Sequence, residues 1–180
     1  FGNCRSLTSV TIPDSVTSIG KFAFEECKNL RSVTIGNGVT KIDENAFSYT
    51  GLTSVMIPNS VTSIGESVFL NCNSLKSVTI GEGLTSTGSN TFINCTSLTS
   101  VTIGGSVTSI GGGSFSRCNS LISVTIPDGV TNIGDNAFNN CRSLASVTIP
   151  DSVTSIGEAA FVWCTSLKSV TIPDSITSIG

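Results

Sequence analysis

Apolar and polar residues alternate along this chain in a pattern that keeps returning. In Leu144-Ala-Ser-Val147-Thr-Ile149, valine and isoleucine alternate with Ser146 and Thr148, the period of two that predicts a strand with one buried face. Pro150-Asp151 ends that strand, because proline cannot donate to a ladder. Gly36, Gly81 and Gly104 hold the proline position in other units. Val153 and Ile156, with two polar residues between them, predict a second short extended or 3₁₀ segment. Gly157 then turns the chain, and the spacing of Phe161 and Cys164 predicts one helical turn pointing both inward.

The unit recurs from one end to the other. Leu7, Leu30, Leu52, Leu75, Leu98, Leu121, Leu144 and Leu167 are separated by steps of 23 residues, with a single step of 22. A fixed period of this length predicts a solenoid of stacked supersecondary units. Each unit offers Leu, Val, Ile, Val, Ile, Ala, Phe and Cys to an interior that one unit cannot close alone. Stacking turns these positions into columns, such as Phe1, Phe24, Phe47, Phe69, Phe92, Phe115, Phe138 and Phe161. Burial of each ring is worth about 2–3 kcal/mol. Rungs spaced by roughly 4.8 Å predict one sheet on the order of 35 Å long.

The pattern Leu-x-x-Val-x-Ile-Pro-x-x-Val-x-x-Ile-Gly-x-x-Ala-Phe-x-x-Cys resembles the BspA-like class of leucine-rich repeats, and the likeness covers residues 1–180. The resemblance implies a right-handed solenoid, with a parallel β-sheet on one face and short helical or 3₁₀ turns and extended segments on the other. It implies a single solenoid of about eight 23-residue repeats. It further implies an extracellular or cell-surface protein associated with adhesion to host proteins or to other cells, with no single ligand and no catalytic residues; the expected partner is a protein or glycan at a cell surface, and no cofactor is expected.

Departures from the unit are informative. Repeat Leu30–Gly51 is one residue short and reads Phe47-Ser-Tyr49-Thr-Gly51, without cysteine. Thr87 stands where other units have isoleucine, which weakens the core there, and Asp43 replaces the turn glycine. The chain opens at Phe1-Gly-Asn-Cys4, within a repeat, and ends within one. Solenoids carry polar caps, so the expectation is an uncapped segment of a longer protein, whose open ends invite end-to-end association.

Only 12% of residues are charged and the net charge is −3. With no basic cluster, nucleic acid is an unsuitable partner, and no apolar run is long enough to span a membrane. The chain has no histidine, so the commonest general base is missing. Asp14, Asp128, Asp151 and Asp174 follow prolines as turn formers, and the expectation is a protein without enzymatic activity. Cys4, Cys27, Cys72, Cys95, Cys118, Cys141 and Cys164 share one repeat position. An odd, unbroken column has no natural pairing, so a ladder of buried free thiols at Cys27, Cys72, Cys95, Cys118, Cys141 and Cys164 is favoured over disulfides, and no metal site is expected. Asn94-Cys95-Thr96 is the one glycosylation sequon, with a sulfur-column residue at its centre.

The outward positions of the first strand form the candidate binding face. One column is Ser9, Ser32, Ser54, Ser77, Ser100, Ser123, Ser146 and Ser169; the other is Thr11, Thr34, Met56, Thr79, Thr102, Thr125, Thr148 and Thr171. Two readings stand side by side. Serine and threonine are β-compatible fillers of a recently duplicated unit, or they form an array matched to a repetitive ligand such as a glycan or, as a further alternative, ice. A structural or self-assembling rod is the competing role. Thr154-Ser155 and its equivalents offer a rival face, and Lys21, Arg117, Trp163 and Lys168 are variable positions suited to adding specificity.

Overall fold

Most turns of the chain contribute one longer strand and one two-residue strand. The computed structural model describes all residues, Phe1–Gly180. In chain order the strands are β1 (Ser9–Ile12), β2 (Ser18–Ile19), β3 (Ser32–Ile35), β4 (Lys41–Ile42), β5 (Ser54–Ile57), β6 (Ser63–Ile64), β7 (Ser77–Ile80), β8 (Ser100–Thr102), β9 (Ser109–Ile110), β10 (Ser123–Thr125), β11 (Asn132–Ile133), β12 (Ser146–Thr148), β13 (Ser155–Ile156) and β14 (Ser178–Ile179). All pairings are parallel and join equivalent positions, as in Ser9↔Ser32 and Ile133↔Ile156. The chain is therefore a β-solenoid in which contacts join each turn to its neighbours. The Val-x-x-Ile segment is extended, not 3₁₀.

The longer strands do not make the single sheet expected from the sequence. They pair as β1-β3, β5-β7-β8 and β10-β12. The first break follows the short repeat, whose missing residue lies between Thr50 and Leu52, immediately upstream of β5. The second strand column breaks at Thr87. Its sheets are β2-β4-β6 and β9-β11-β13-β14; in the intervening rung only Ser86 makes an isolated bridge, to Ser109 of β9. Thr87 is fully buried, and its hydroxyl accepts the Gly111 N–H at 2.9 Å. Equivalent glycines donate instead to the isoleucine carbonyl of the preceding rung, as Gly134 does to Ile110 at 2.8 Å.

The predicted helical turn is absent, and no helix occurs anywhere. The Phe-bearing arm is a run of overlapping turns. Ala23, Glu25 and Cys27 donate to Gly20, Phe22 and Phe24 within the rung, whereas Phe22, Phe24 and Glu26 donate to Glu44, Ala46 and Ser48 of the next rung. Every second N–H is thus committed to a neighbour about one repeat away, which removes the i→i−4 ladder a helix needs. The alternation also requires two left-handed residues per arm. One column is Phe22, Asn45, Ser67, Asn90, Gly113, Asn136 and Ala159; the other is Asn3, Glu26, Tyr49, Asn71, Asn94, Arg117, Asn140 and Trp163.

A cluster of 43 buried apolar residues runs along the axis. The phenylalanine rings stack nearly parallel, with centroids 5.2–5.5 Å apart. Aromatic pairs left to themselves prefer offset or edge-on contact. Here the rung spacing of the backbone imposes the offset parallel stack.

Candidate functional site

The first-strand face is built by the pleat. Val33, Val55, Val78, Val124 and Val147 turn toward the core, so the residues on either side of each valine point outward. Ser9, Thr11, Ser32, Thr34, Ser54, Ser77, Thr79, Ser100, Thr102, Ser123, Thr125, Ser146, Thr148, Ser169 and Thr171 are all exposed. In-register pairing places Ser77 beside Ser54 and Ser100, and Thr79 beside Met56 and Thr102. Met56 interrupts the threonine column and is 67% exposed. Ser169 and Thr171 continue the columns outside any strand.

The two threonine-bearing faces differ in what their hydroxyls do. On the second segment, Thr40, Thr62, Thr108, Thr131, Thr154 and Thr177 each donate Oγ1 to the threonine carbonyl one rung back, at 3.2–3.3 Å. These donors are used by the fold. The first-strand serines and threonines make no side-chain hydrogen bond within the chain, and their donors and acceptors face solvent.

The cysteine column has its own hydrogen-bond ladder. Cys27, Cys72, Cys95, Cys118, Cys141 and Cys164 are buried and unpaired, and Cys4 is exposed. Each buried thiol donates to a phenylalanine carbonyl of the preceding rung: Cys95 to Phe69 at 3.2 Å, Cys118 to Phe92 at 3.3 Å, Cys141 to Phe115 at 3.1 Å. Burial pushes the thiols of Cys27, Cys95, Cys118 and Cys164 up from their ordinary value, and that of Cys141 to about 12. Thr50 occupies the column in the rung without cysteine. No group of three or more His, Cys, Asp or Glu side chains is placed to hold a metal ion.

Several carboxylates and amides act between rungs, which the sequence did not reveal. Asp14 Oδ1 accepts the Asn37 N–H at 2.7 Å, Asn59 Oδ1 that of Glu82 at 2.9 Å, and Asp135 Oδ1 that of Glu158 at 2.8 Å. Backbone N–H groups of Gly105 and Ser106 hold the Glu82 carboxyl below the usual range. Asparagine recurrence at two arm positions was the available signal for the left-handed columns, because asparagine tolerates that conformation. Asn94 of the sequon donates its amide to Asn71 of the preceding rung. Lys21 is held by Glu44 at 2.9 Å, whereas Arg117, Trp163 and Lys168 are exposed.

A family model described as "BspA type Leucine rich repeat region (6 copies)" matches residues 1–121 and 87–180. A solved leucine-rich repeat protein from Bacteroides ovatus is 32% identical with a TM-score of 0.77, over 97% of this chain and 51% of that one. A leucine-rich repeat protein from Eubacterium ventriosum is 30% identical with a TM-score of 0.85, over 94% of this chain and 45% of that one. A leucine rich cell surface protein from Faecalibacterium prausnitzii is 30% identical with a TM-score of 0.55, over 93% of this chain and 60% of that one. This chain thus spans about half the length of the Bacteroides ovatus chain. No curated protein matches it.

Proposed function

This chain belongs to the BspA-type leucine-rich repeat family, and we propose that it is a non-catalytic binding and adhesion module that engages a protein or glycan through its first-strand Ser and Thr columns. The observation that carries this reading is the difference between the two faces. Second-segment threonine hydroxyls are used between rungs, while the first-strand hydroxyls are exposed and unpartnered. A parallel array of free donors and acceptors at rung spacing suits a ligand that repeats.

We place the module at the cell surface or outside the cell. The likeness to a Faecalibacterium prausnitzii cell surface protein supports that placement. No helix is long and apolar enough to cross a membrane. We assign no enzymatic role, because there is no histidine and the ordered carboxylates of Asp14, Glu82 and Asp135 are engaged in turn capping. Ice is the weaker ligand: the strand column is broken into runs of two or three, and Met56 interrupts the threonine row.

The test is a binding screen of the recombinant chain against glycan arrays, matrix proteins and bacterial cells. Paired variants Thr79→Lys with Thr102→Lys on the first face, and Thr108→Lys with Thr131→Lys on the second, accompany it. Loss of binding in the first pair alone is expected. Uniform failure of the parent chain to bind, or equal loss in both pairs, sinks the reading.

A further inference from the structure

The short repeat opens a notch where the arm meets the next strand. It is a shallow cavity of about 380 Å³ whose lining includes Lys28, Arg31, Tyr49, Asn71, Asn73 and Ser74. With one residue missing after Thr50, only Gly51 separates the sulfur column from Leu52. The Arg31 guanidinium lies across that gap, donating Nη1 to the Gly51 carbonyl at 3.2 Å and to Ser74 Oγ at 3.4 Å. A side chain at Gly51 would set its first carbon 2.8 Å from Arg31 Nη1. The deletion and the glycine together therefore seat the arginine, and neither feature occurs in another repeat.

The notch is rich in unused donors. Asn71 Oδ1 accepts from Asn94, and Asn73 Oδ1 accepts from Thr96 at 3.3 Å, which leaves both amide Nδ2 groups free. Lys28 meets only Glu26, at 3.8 Å on the rim, with its side chain 58% exposed. The remaining guanidinium N–H groups are unpartnered. Tyr49, the only tyrosine of the chain, is 41% exposed. It stands at a left-handed position, φ 58°, where four other rungs have Asn3, Asn71, Asn94 and Asn140 and the remaining three have Glu26, Arg117 and Trp163. A bulky residue there is a costly choice that strand packing does not require.

We propose that this notch binds an acidic oligosaccharide, a glycan bearing carboxylate or sulfate groups. The guanidinium fork and Lys28 suit a planar or tetrahedral oxyanion, the free amides suit ring hydroxyls, and the Tyr49 ring offers an apolar face with a polar tip to a sugar ring. The volume lies within the range of small-ligand clefts. The site is distinct from the strand face and stands whether or not that face binds.

The experiment is isothermal titration of the full 180-residue chain with a heparin-derived sulfated tetrasaccharide, an oligogalacturonate, a neutral chito-oligosaccharide and sodium sulfate. At least one acidic oligosaccharide is expected to bind tenfold or more tighter than both the neutral sugar and sulfate, and to weaken as salt is raised. Tyr49→Asn, which places the residue other rungs use, and Arg31→Gln are each expected to weaken it tenfold or more. Thr79→Lys on the strand face leaves it unchanged, which separates this site from the one proposed above. No binding of either acidic sugar, equal binding of the neutral sugar or of sulfate, or indifference to Tyr49→Asn and Arg31→Gln overturns the proposal.

Discussion

The Thr50 hydroxyl lies 3.1 Å from the sulfur of Cys72, in the column position that the other rungs give to a thiol. It also donates to the Phe47 carbonyl at 2.9 Å, the same oxygen that receives the Cys72 thiol at 3.2 Å. Thr50 therefore holds the ladder together across the one rung that lacks cysteine. Thr50→Val removes a buried hydroxyl and is expected to cost about 1 kcal/mol, whereas Thr50→Cys is expected to stay within about 0.5 kcal/mol of the parent. Urea denaturation midpoints check both, and an unchanged midpoint in Thr50→Val refutes the role.

The thiol ladder makes stability fall in alkali. Burial holds Cys27, Cys95, Cys118, Cys141 and Cys164 above the ordinary value of 9.0. Between that value and about 12 for Cys141, these five thiols hold more protons in the folded chain than in the unfolded one, so their contribution to stability declines as pH rises through this window. The melting temperature should be flat near pH 7–8 and drop steeply above pH 9. Cys118→Ala should make the drop shallower. A slope that Cys118→Ala leaves unchanged contradicts the assignment.

Thiol accessibility gives a second reading of the same column. In the native chain a charged aromatic disulfide reagent should label Cys4 quickly and the six buried thiols slowly, because only Cys4 is exposed. All seven cysteines should react in denaturant. Two or more fast thiols in the native state would show that the column is open.

Left-handed arm positions set a cost that substitution can lift. Ala159 sits at φ 54° and Asn136, its equivalent one rung back, at φ 56°. Ala159→Asn is expected to stabilise by about 1 kcal/mol and Asn136→Ala to destabilise by a similar amount. Thermal melts of the pair test this, and the opposite order would mean that the arm does not hold these residues left-handed.

Thr87 marks where the second strand column fails. Thr87→Ile restores the repeat residue and adds buried apolar surface, with an expected gain of about 1 kcal/mol. Hydrogen exchange at Gly88 and Gly111 should slow as the ladder closes. Faster exchange at those amides would show that the hydroxyl contact to Gly111 is worth more than the missing side chain.

Much of this was legible in the residues and some was not. The period of two in Ser-Val-Thr-Ile marks strands and their buried face, and the recurrence of Leu, Phe and Cys marks the stacked columns, because those choices depend on burial within each repeat. Thr87 and the short repeat were visible as departures. That they cut the ladders was not, since a break depends on the partner rung as well as the residue.

The chain's periodicity by itself determined the rung, the columns and which side of each strand faces water. Tertiary structure alone decided the build of the arm. Phe161 and Cys164 are spaced for a helical turn, yet the N–H of Phe138 is taken by Ala160 of the next rung, a partner that no window along one repeat contains. It alone decided, too, which threonine face is free. Thr131 and Thr148 are both exposed threonines, but the Thr131 hydroxyl turns to the carbonyl of Thr108, whereas that of Thr148 has no partner in the chain. Residue type sets what a side chain is able to bond, and only the packing of one rung on the next sets whether that capacity is already used.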